Sequence, residues 1–271
     1  MNMRISAIVI ALLVIASVLF MARDRASAPE ASLSPTPEPN IVVTSPRAGD
    51  LVGNPITVTG RARVFENTFN YRLLGANNEV LFEYFGTADA PDTGYFGDFA
   101  VKIPIPSGAP ADLTVQVFEY SAKDGSIVNL VSVPVRVKDT TTTTFQVFFQ
   151  NEQKQKVSDP QMLSCEPVFP VSRTVFKTSE VAYLALNELL SGVRSNETTQ
   201  GFSSALPEHV GVNRIAISNG TASVDFSNDM SGGSCAVTAR RAQLEKTLTQ
   251  FPSVKRTAFS AFGQTESVLQ P

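Results

Sequence analysis

Tryptophan is absent from this chain of 271 residues, histidine occurs once and cysteine twice. Each scarcity closes off chemistry. The one histidine, His209 in "LPEHVGV", stands beside Glu208, which is too little for the three or four ligands of a zinc site. It is equally isolated from any activated nucleophile that would need a base. No Gly-x-Ser-x-Gly elbow, Ser-x-x-Lys pair or glycine-rich phosphate loop occurs. The formal net charge is −3 with no basic block beyond the N-terminus, so the cationic footprint of a nucleic-acid binder is missing. Asp89, Asp92, Asp98, Asp225 and Asp229 fall at turns and strand ends, where such residues hydrogen-bond local backbone. A paired-carboxylate glycosidase would need a deep cleft, which two small domains seldom form. The chain therefore reads as non-enzymatic, with no cofactor and no metal.

What is present begins with "MNMRISAIVIALLVIASVLFMARDRASAPEA". Ile5 to Ala22 carry no ionisable side chain, and roughly 18 apolar residues are just enough to span a bilayer core. Two readings are open. One is an uncleaved N-terminal transmembrane anchor in residues 1–25. The other is a cleaved signal ending at Ala26-Ser27-Ala28, weakened by Pro29 after the cut and by Arg23, Asp24 and Arg25 before it. Either exports the rest of the chain, and the absence of a cysteine after the apolar run excludes a lipid-anchored form. Residues 26–40, "ASAPEASLSPTPEPN", hold too little apolar surface for a core. Their prolines make them a stalk.

From Ile41 to Val137, short β-rich runs alternate with turn residues. "IVVTSP", "PITVTGRARVF", "FNYRLLG", "EVLFEYFG", "GYFGDFAVKIPIP", "ADLTVQVFEYSA" and "NLVSVPVRV" are candidate strands. About seven strands at this spacing predict an all-β sandwich. Within "DLTVQVFEY", Leu113, Val115 and Val117 share one face, and Thr114, Gln116 and Phe118 the other, as in a sheet with one buried side. Pro104 and Pro106 mark an edge strand or its end.

The segments "P-ITV-G-A-VFENT" (Pro55 to Thr68), "GYFGDFAVKIPI" and "FEYSAKDGS" (Phe118 to Ser126) resemble the immunoglobulin-like Gmad2 domain. That domain accompanies sporulation and germination modules in bacterial envelope proteins. The resemblance implies an immunoglobulin-like sandwich over residues 41–138. Glu66, Asn67, Glu119 and Asp124 lie in its best-matching segments. They read as hydrogen-bonding residues of turns and strand ends, not as a site.

Residues 139–271 change character. "TTTTTFQVFFQNEQ" and "CEPVFPVSRTVF" predict two extended segments. Thr178-Ser179-Glu180 offers a helix N-cap ahead of "EVAYLALNELLSG", with Ala182, Ala185, Leu186, Leu189 and Val193 near one face and Gly192 ending it. Arg194–Gln200 reads as a polar loop. Asn219-Gly220 between two β runs is a strong hairpin signal. A second helix comes next, with Ser234 as its expected cap and Val237, Leu244, Leu248 and Phe251 in one stripe. Arg241 beside that stripe reads as an aliphatic stem on the core edge. Pro252 ends the helix and "VKRTAFSAFG" supplies a last strand.

This β-β-α-β-β-α-β order is similar to the GerMN domain, named after a spore-germination protein. "SEVAYLALNELLSG", "ALPEHVGVNRIAISNGTASVDFS" and "QLEKTLTQFPSVKRTAFSAFGQ" carry the likeness. It implies a separate two-layer α+β domain. Gly192-Val193-Arg194 departs from the more usual Gly-Pro-Thr, and the sandwich precedes the GerMN-like part where the usual order is the reverse. Outside the cytoplasm an even cysteine count reads as a disulfide, here Cys165 to Cys235. Two separate thiols are the alternative.

Together these features predict a single-pass, extracytoplasmic cell-envelope protein acting as a scaffold or interaction module. By resemblance the role belongs to sporulation or germination. The expected partners are the membrane through the N-terminal helix and an envelope protein or a second copy. A peptidoglycan- or carbohydrate-binding module is the other reading, for which Tyr84, Phe85, Tyr95 and Phe96 are the available stacking surfaces.

Overall fold

The computed structural model describes residues 38–161, 164–265 and 268–270. The expected N-terminal anchor and nearly all of the stalk lie outside the described residues. Among the described residues, no helix is long and apolar enough to cross a membrane.

The first part is a sandwich of eight strands: β1 (Ile41–Ser45), β2 (Leu51–Val52), β3 (Ile56–Ala62), β4 (Thr68–Leu74), β5 (Val80–Thr87), β6 (Gly97–Ile103), β7 (Asp112–Tyr120) and β8 (Ile127–Val137). One sheet runs β1-β3-β6 and the other β2-β8-β7-β4-β5. All seven expected runs are strands, and the short β2 is the addition. It pairs in parallel with the end of β8, a tertiary partner that two residues cannot announce. Alternation does the rest. Ile56, Val58, Phe69, Leu73, Phe99, Ile103, Val115 and Val117 all point into the space between the sheets and are buried. Phe69 and Phe99 meet there from opposite sheets, their ring centres 4.4 Å apart. Gly60 in the middle of β3 has a packing reason, since a β-carbon there would fall 2.2 Å from the Val42 carbonyl oxygen and 2.6 Å from the Phe99 ring. β6 ends just before Pro104, as a residue without an N–H requires.

One side chain departs from the simple pattern. Phe118 faces outward with Thr114 and Gln116, yet it is buried. The β7–β8 register shifts between Val117 and Glu119. The Arg72 guanidinium covers the ring at 4.8 Å, and Tyr120 meets it edge-on at 5.1 Å. A cation with its stem across the outer sheet face keeps water off this ring, which alternation alone does not foresee.

The second part contains β9 (Thr142–Asn151), α1 (Glu152–Ser158), β10 (Phe169–Phe176), α2 (Val181–Leu190), the single turn α3 (Ser195–Thr198), β11 (Phe202–Ser203), β12 (Val212–Ser218), β13 (Thr221–Phe226), α4 (Ser234–Thr249) and β14 (Arg256–Ala261). Its strands form two sheets, β10-β9-β11 and β12-β13-β14. One apolar core joins Phe145, Val147 and Phe149 of β9 to Leu186 and Leu189 of α2, Val224 and Phe226 of β13, and Leu244 and Leu248 of α4. The strand-rich chain is thus an immunoglobulin-like sandwich and a separate α+β region. The predicted hairpin is there, with Asn219 and Gly220 both at positive φ.

Several local expectations need correction. Helix α1 is additional; Asn151 caps it by accepting the Lys154 N–H at 3.0 Å. The Thr178 hydroxyl accepts the Glu180 N–H at 2.8 Å, closing a turn one step ahead of α2 instead of capping it. Ser234 is the first residue of α4 and Gly233 the cap. The Arg194–Gln200 loop contains α3, and its Glu197 is buried. Helix α2 is buried on more than one side, with Tyr183, Leu184 and Glu188 covered as well as the expected stripe.

Helix α4 has Val237, Leu244 and Leu248 buried as predicted, and Arg241 half-exposed, 3.7 Å from Glu245. It also buries Gln243 and Thr247. Those polar groups complete the second edge of β9. Thr247 Oγ1 accepts the Phe148 N–H at 3.2 Å, and Gln243 donates to the Phe148 carbonyl at 3.1 Å. Gln250 takes the Gln146 N–H at 2.9 Å and donates to its carbonyl at 2.7 Å. Side chains here stand in for a missing strand and pair the backbone groups of Gln146 and Phe148.

Candidate functional site at the junction of the two domains

The most elaborate chemistry in the described residues lies where sandwich and α+β region meet. Arg173 on β10 is 2% exposed and faces two carboxylates, Glu188 on α2 and Glu197 on α3, both buried. Glu197 receives two parallel N–H groups from the guanidinium, at 2.5 and 2.8 Å, and the Arg194 backbone N–H at 2.9 Å. Glu188 Oε2 lies 3.1 Å from Arg173 Nε, an ion contact off the hydrogen-bonding direction. Burial alone would push the Glu197 carboxyl up. The Arg173 hydrogen bonds, the Arg194 N–H and the charge of both arginines outweigh it and hold the group below the usual carboxylate range.

Glu188 also reaches into the sandwich. Its two oxygens accept the Ser107 N–H at 2.6 Å and the Ser107 hydroxyl at 3.0 Å. Arg194 stretches over the same point, hydrogen-bonding the Ser107 hydroxyl and lying 3.4 Å from Glu188. Around this hub, Tyr183 donates its hydroxyl to the Lys102 carbonyl at 3.1 Å; burial raises its pKa, so it remains a neutral donor. Lys102 pairs with Glu180 at 2.6 Å. Asn54 donates to the carbonyls of Ile105 and Phe176, one in each domain, at 3.2 and 3.3 Å. Phe176, at the end of β10, packs against the sandwich core. The arginine and the two carboxylates are buried against one another, so each charge depends on its partners being in place.

The two cysteines are bonded, with Cα atoms 5.3 Å apart, inside the range a disulfide requires. Cys235 stands in the first turn of α4 as expected. Cys165 lies in the loop before β10, not in the strand itself. The remaining residues singled out in the sequence are placed plainly. His209 is fully exposed, 4.0 Å from Glu208, and among the described residues no group of three metal-ligating side chains assembles. Asp225 accepts the Ser260 hydroxyl and the Gly263 N–H, both at 2.7 Å, and these bonds outweigh burial to lower its pKa. Asp124 caps its own turn through Ser126. Glu119 bridges the Phe65 N–H and Asn129 at 3.0 and 2.8 Å, a latch between two strand ends. Tyr84 and Phe85 stack at 4.8 Å, and Phe96 lies under both Arg61 and Arg63 at 4.8 Å, leaving Phe85 and Tyr95 as the exposed rings of the four.

Residues 120–267 match the family model Germane, described as sporulation and spore germination. The match spans more than half of the chain. The chain belongs to the Germane family. Residues 40–126 match Gmad2, described as an immunoglobulin-like domain of bacterial spore germination. The strand completing the Gmad2 sandwich, β8, extends to Val137, so the Germane match begins inside the sandwich sheet. Among solved structures, the chain is similar to the tandem GerMN domains of the sporulation protein GerM from Bacillus subtilis, at 21% identity over 49% of this chain and 47% of that one, with a TM-score of 0.35. It thus spans about half the length of that structure. The first GerMN domain of GerM alone aligns at 21% identity over 48% of this chain and 92% of that one, TM-score 0.32. A putative lipoprotein from Clostridium perfringens aligns at 13% identity over 47% of this chain and 80% of that one, TM-score 0.29. No curated protein matches. The junction therefore joins a Gmad2 domain to a Germane domain, and the protein is sporulation- and germination-related by its domains.

Sequence reasoning missed the junction residues. Arg173, Glu188 and Glu197 sit in segments read as a strand, a helix and a polar loop, and Ser107 follows the prolines read as an edge strand or its end. A faint signal existed in Glu188, an acid in the otherwise apolar "YLALNELL".

Proposed function

We propose that the protein is a non-enzymatic envelope scaffold of the sporulation or germination apparatus, anchored in the cell membrane by residues 5–22 with both domains outside the cytoplasm. The observation that supports this most is the double hydrogen bond from Ser107 to the buried Glu188. It ties the Gmad2 sandwich to the charge cluster of the Germane domain, so that the two present their surfaces as one body. A linker made for catalysis by domain motion would leave such a contact wet and separable. A disulfide in the Germane domain suits export. The function of a fixed pair of domains on a tether is to hold partners in register, and the partner is an envelope protein or a second copy.

Crosslinking the full chain in intact cells, followed by identification of what it captures, tests the role. Reproducible capture of envelope proteins, or of a second copy, supports it. Release of soluble fragments from cell wall by the purified chain, or protection of the domains from protease added to spheroplasts, would overturn it.

A further inference from the structure

Strand β12 (Val212–Ser218) is an edge of its sheet. It pairs with β13 on one side, and among the described residues no strand pairs with the other. The two-residue turn at Asn219-Gly220 makes Ser218 and Thr221 a hydrogen-bonded pair. Antiparallel pairs alternate, so Ala216 bonds to Ser223, and the N–H and C=O groups of Ile215 and Ile217 point to the open edge. Among the described residues neither isoleucine has a backbone hydrogen bond to anything beyond the hairpin. A bulge between Val212 and Arg214, and the arginine itself, guard one end of this edge and leave Ile215 to Ser218 bare. Ile215 and Ile217 share a face with the buried Ala222 and Val224. On that face, along the same edge, runs a groove of about 240 Å³ lined by Val181, Ala182 and Tyr183 of α2, by both isoleucines and by Phe251. Ile215 packs on the core, whereas Ile217 is 42% exposed. An open row of backbone groups over an apolar groove is the arrangement that receives an added strand.

We propose that a second copy supplies this strand, β12 against β12, antiparallel about a two-fold axis at Ala216. Its role rests on the scaffold reading above; its geometry rests on β12 alone. With Ala216 on the axis, Ile215 of each copy stands opposite Ile217 of the other. These are the two positions whose backbone groups are open, so each pair exchanges both of its bonds. The isoleucine side chains carry the apolar face across the axis and cover the other copy's groove. Arg214 is the one charge on the strand, and Ser218 of the other copy stands opposite it, so no like charges meet across the pair. The two arginines lie about 14 Å apart along the paired strands, beyond the screening length at physiological salt. Other charges near this edge are placed elsewhere. Glu180, at the rim of the groove, is paired with Lys102 at 2.6 Å. Asp225, beside Arg214 on β13, holds Ser260 and Gly263, and Lys255 lies past the turn against Gly220. The strand therefore meets its own image with isoleucine on isoleucine and alanine on alanine, as an isologous contact requires. The contact is small, so the pairing is weak and grows with concentration.

On the axis the two Ala216 Cα atoms form a pair without hydrogen bonds, about 4.5 Å apart, within reach of a disulfide. The full chain carrying Ala216→Cys, in detergent under mild oxidation, is therefore expected to be trapped mostly as a covalent dimer linked through position 216. Ser223→Cys, on the same outer face but one strand further from the edge, is the control and should stay largely single. In sedimentation the parent mass should climb toward twice the monomer as concentration rises. Ala216→Lys sets two like charges on the axis without touching the core, and should lose that rise. Trapping of Ala216→Cys no better than Ser223→Cys overturns the proposal, as does a parent that stays monomeric or an Ala216→Lys chain that associates like the parent. Ala216→Cys linked in cells to a different protein, and not to itself, assigns the edge to a foreign strand and overturns it too. Any of these results with capture of envelope proteins intact leaves the scaffold reading standing, and loss of that capture would sink the scaffold reading separately.

Discussion

Ser107 and Glu188 belong to different domains, yet one carboxylate oxygen takes the serine N–H at 2.6 Å and the other its hydroxyl at 3.0 Å. The same carboxylate neutralises a buried guanidinium. Removing one member of a buried ion pair leaves the other unpaired, at a cost of about 3–5 kcal/mol. Arg173 keeps its paired bonds to Glu197, so Glu188→Ala is expected to cost less than that, about 1–3 kcal/mol, mainly through the Ser107 N–H left without its acceptor. Ser107→Ala keeps the N–H and loses the hydroxyl's bonds to the Glu188 carboxylate and the Arg194 guanidinium; a hydrogen bond to a charged group contributes about 1.5–3 kcal/mol. Urea denaturation with a probe in each domain checks both. The two probes should report one transition in the parent chain, and an unchanged midpoint in Ser107→Ala would refute the coupling.

Acid should loosen the same region in a defined direction. The folded-state pKa of Glu197 lies below its unfolded value, so its contribution is complete above the ordinary glutamate pKa of about 4.3 and is lost as pH falls through the folded value. Glu197→Gln is expected to be less stable at neutral pH and to show a flatter loss of stability on acidification. Thermal melts across the acid range measure this. Parallel curves for the two proteins would remove Glu197 as a source of the acid dependence.

The Cys165–Cys235 bond closes a loop with a sequence separation of 70. Chain entropy assigns about 4 kcal/mol to such a closure. The double variant Cys165→Ala/Cys235→Ala is expected to lose most of that. Addition of reductant should destabilise the parent chain and leave the variant where it was. The variant has no sulfhydryl left, so a response to reductant in it would show that the effect on the parent does not come from this bond.

Gly60→Ala should damage the Gmad2 sandwich out of proportion to one methyl group. The added carbon meets backbone at Val42 and the ring of Phe99, neither of which can swing away cheaply. Forced overpacking of this kind costs about 1–3 kcal/mol or more. The sandwich probe should shift to lower urea by a margin that Gly53→Ala, with open space around it, does not show.

The strands of the sandwich could be read before any coordinates because their signals are local. Alternation in "DLTVQVF" and prolines after Ile103 act within a few residues of themselves. So does the Asn219-Gly220 turn, whose two positive φ angles are a property of that dipeptide. Helix α4 was legible through Val237, Leu244 and Leu248. The polar half of its buried face was not. Gln243 and Thr247 look like solvent-facing residues until β9 presents an unpaired edge to them. Phe118 looks water-facing until Arg72, from the neighbouring strand, lies across it.

Sequence by itself determined the two domain types, the turns between their strands, and that only Cys165 and Cys235 could form a disulfide within the chain. Each depends on periodicity, on a residue's own backbone preference, or on simple counting. Tertiary structure alone decided that Arg173 would meet Glu188 and Glu197, and that Ser107, 81 positions before Glu188, would complete the cluster. Charged side chains default to water, and their removal from it is favourable only after both domains have closed around them and supplied every partner at once. That condition is a property of the assembled core, and no stretch of the chain carries it alone.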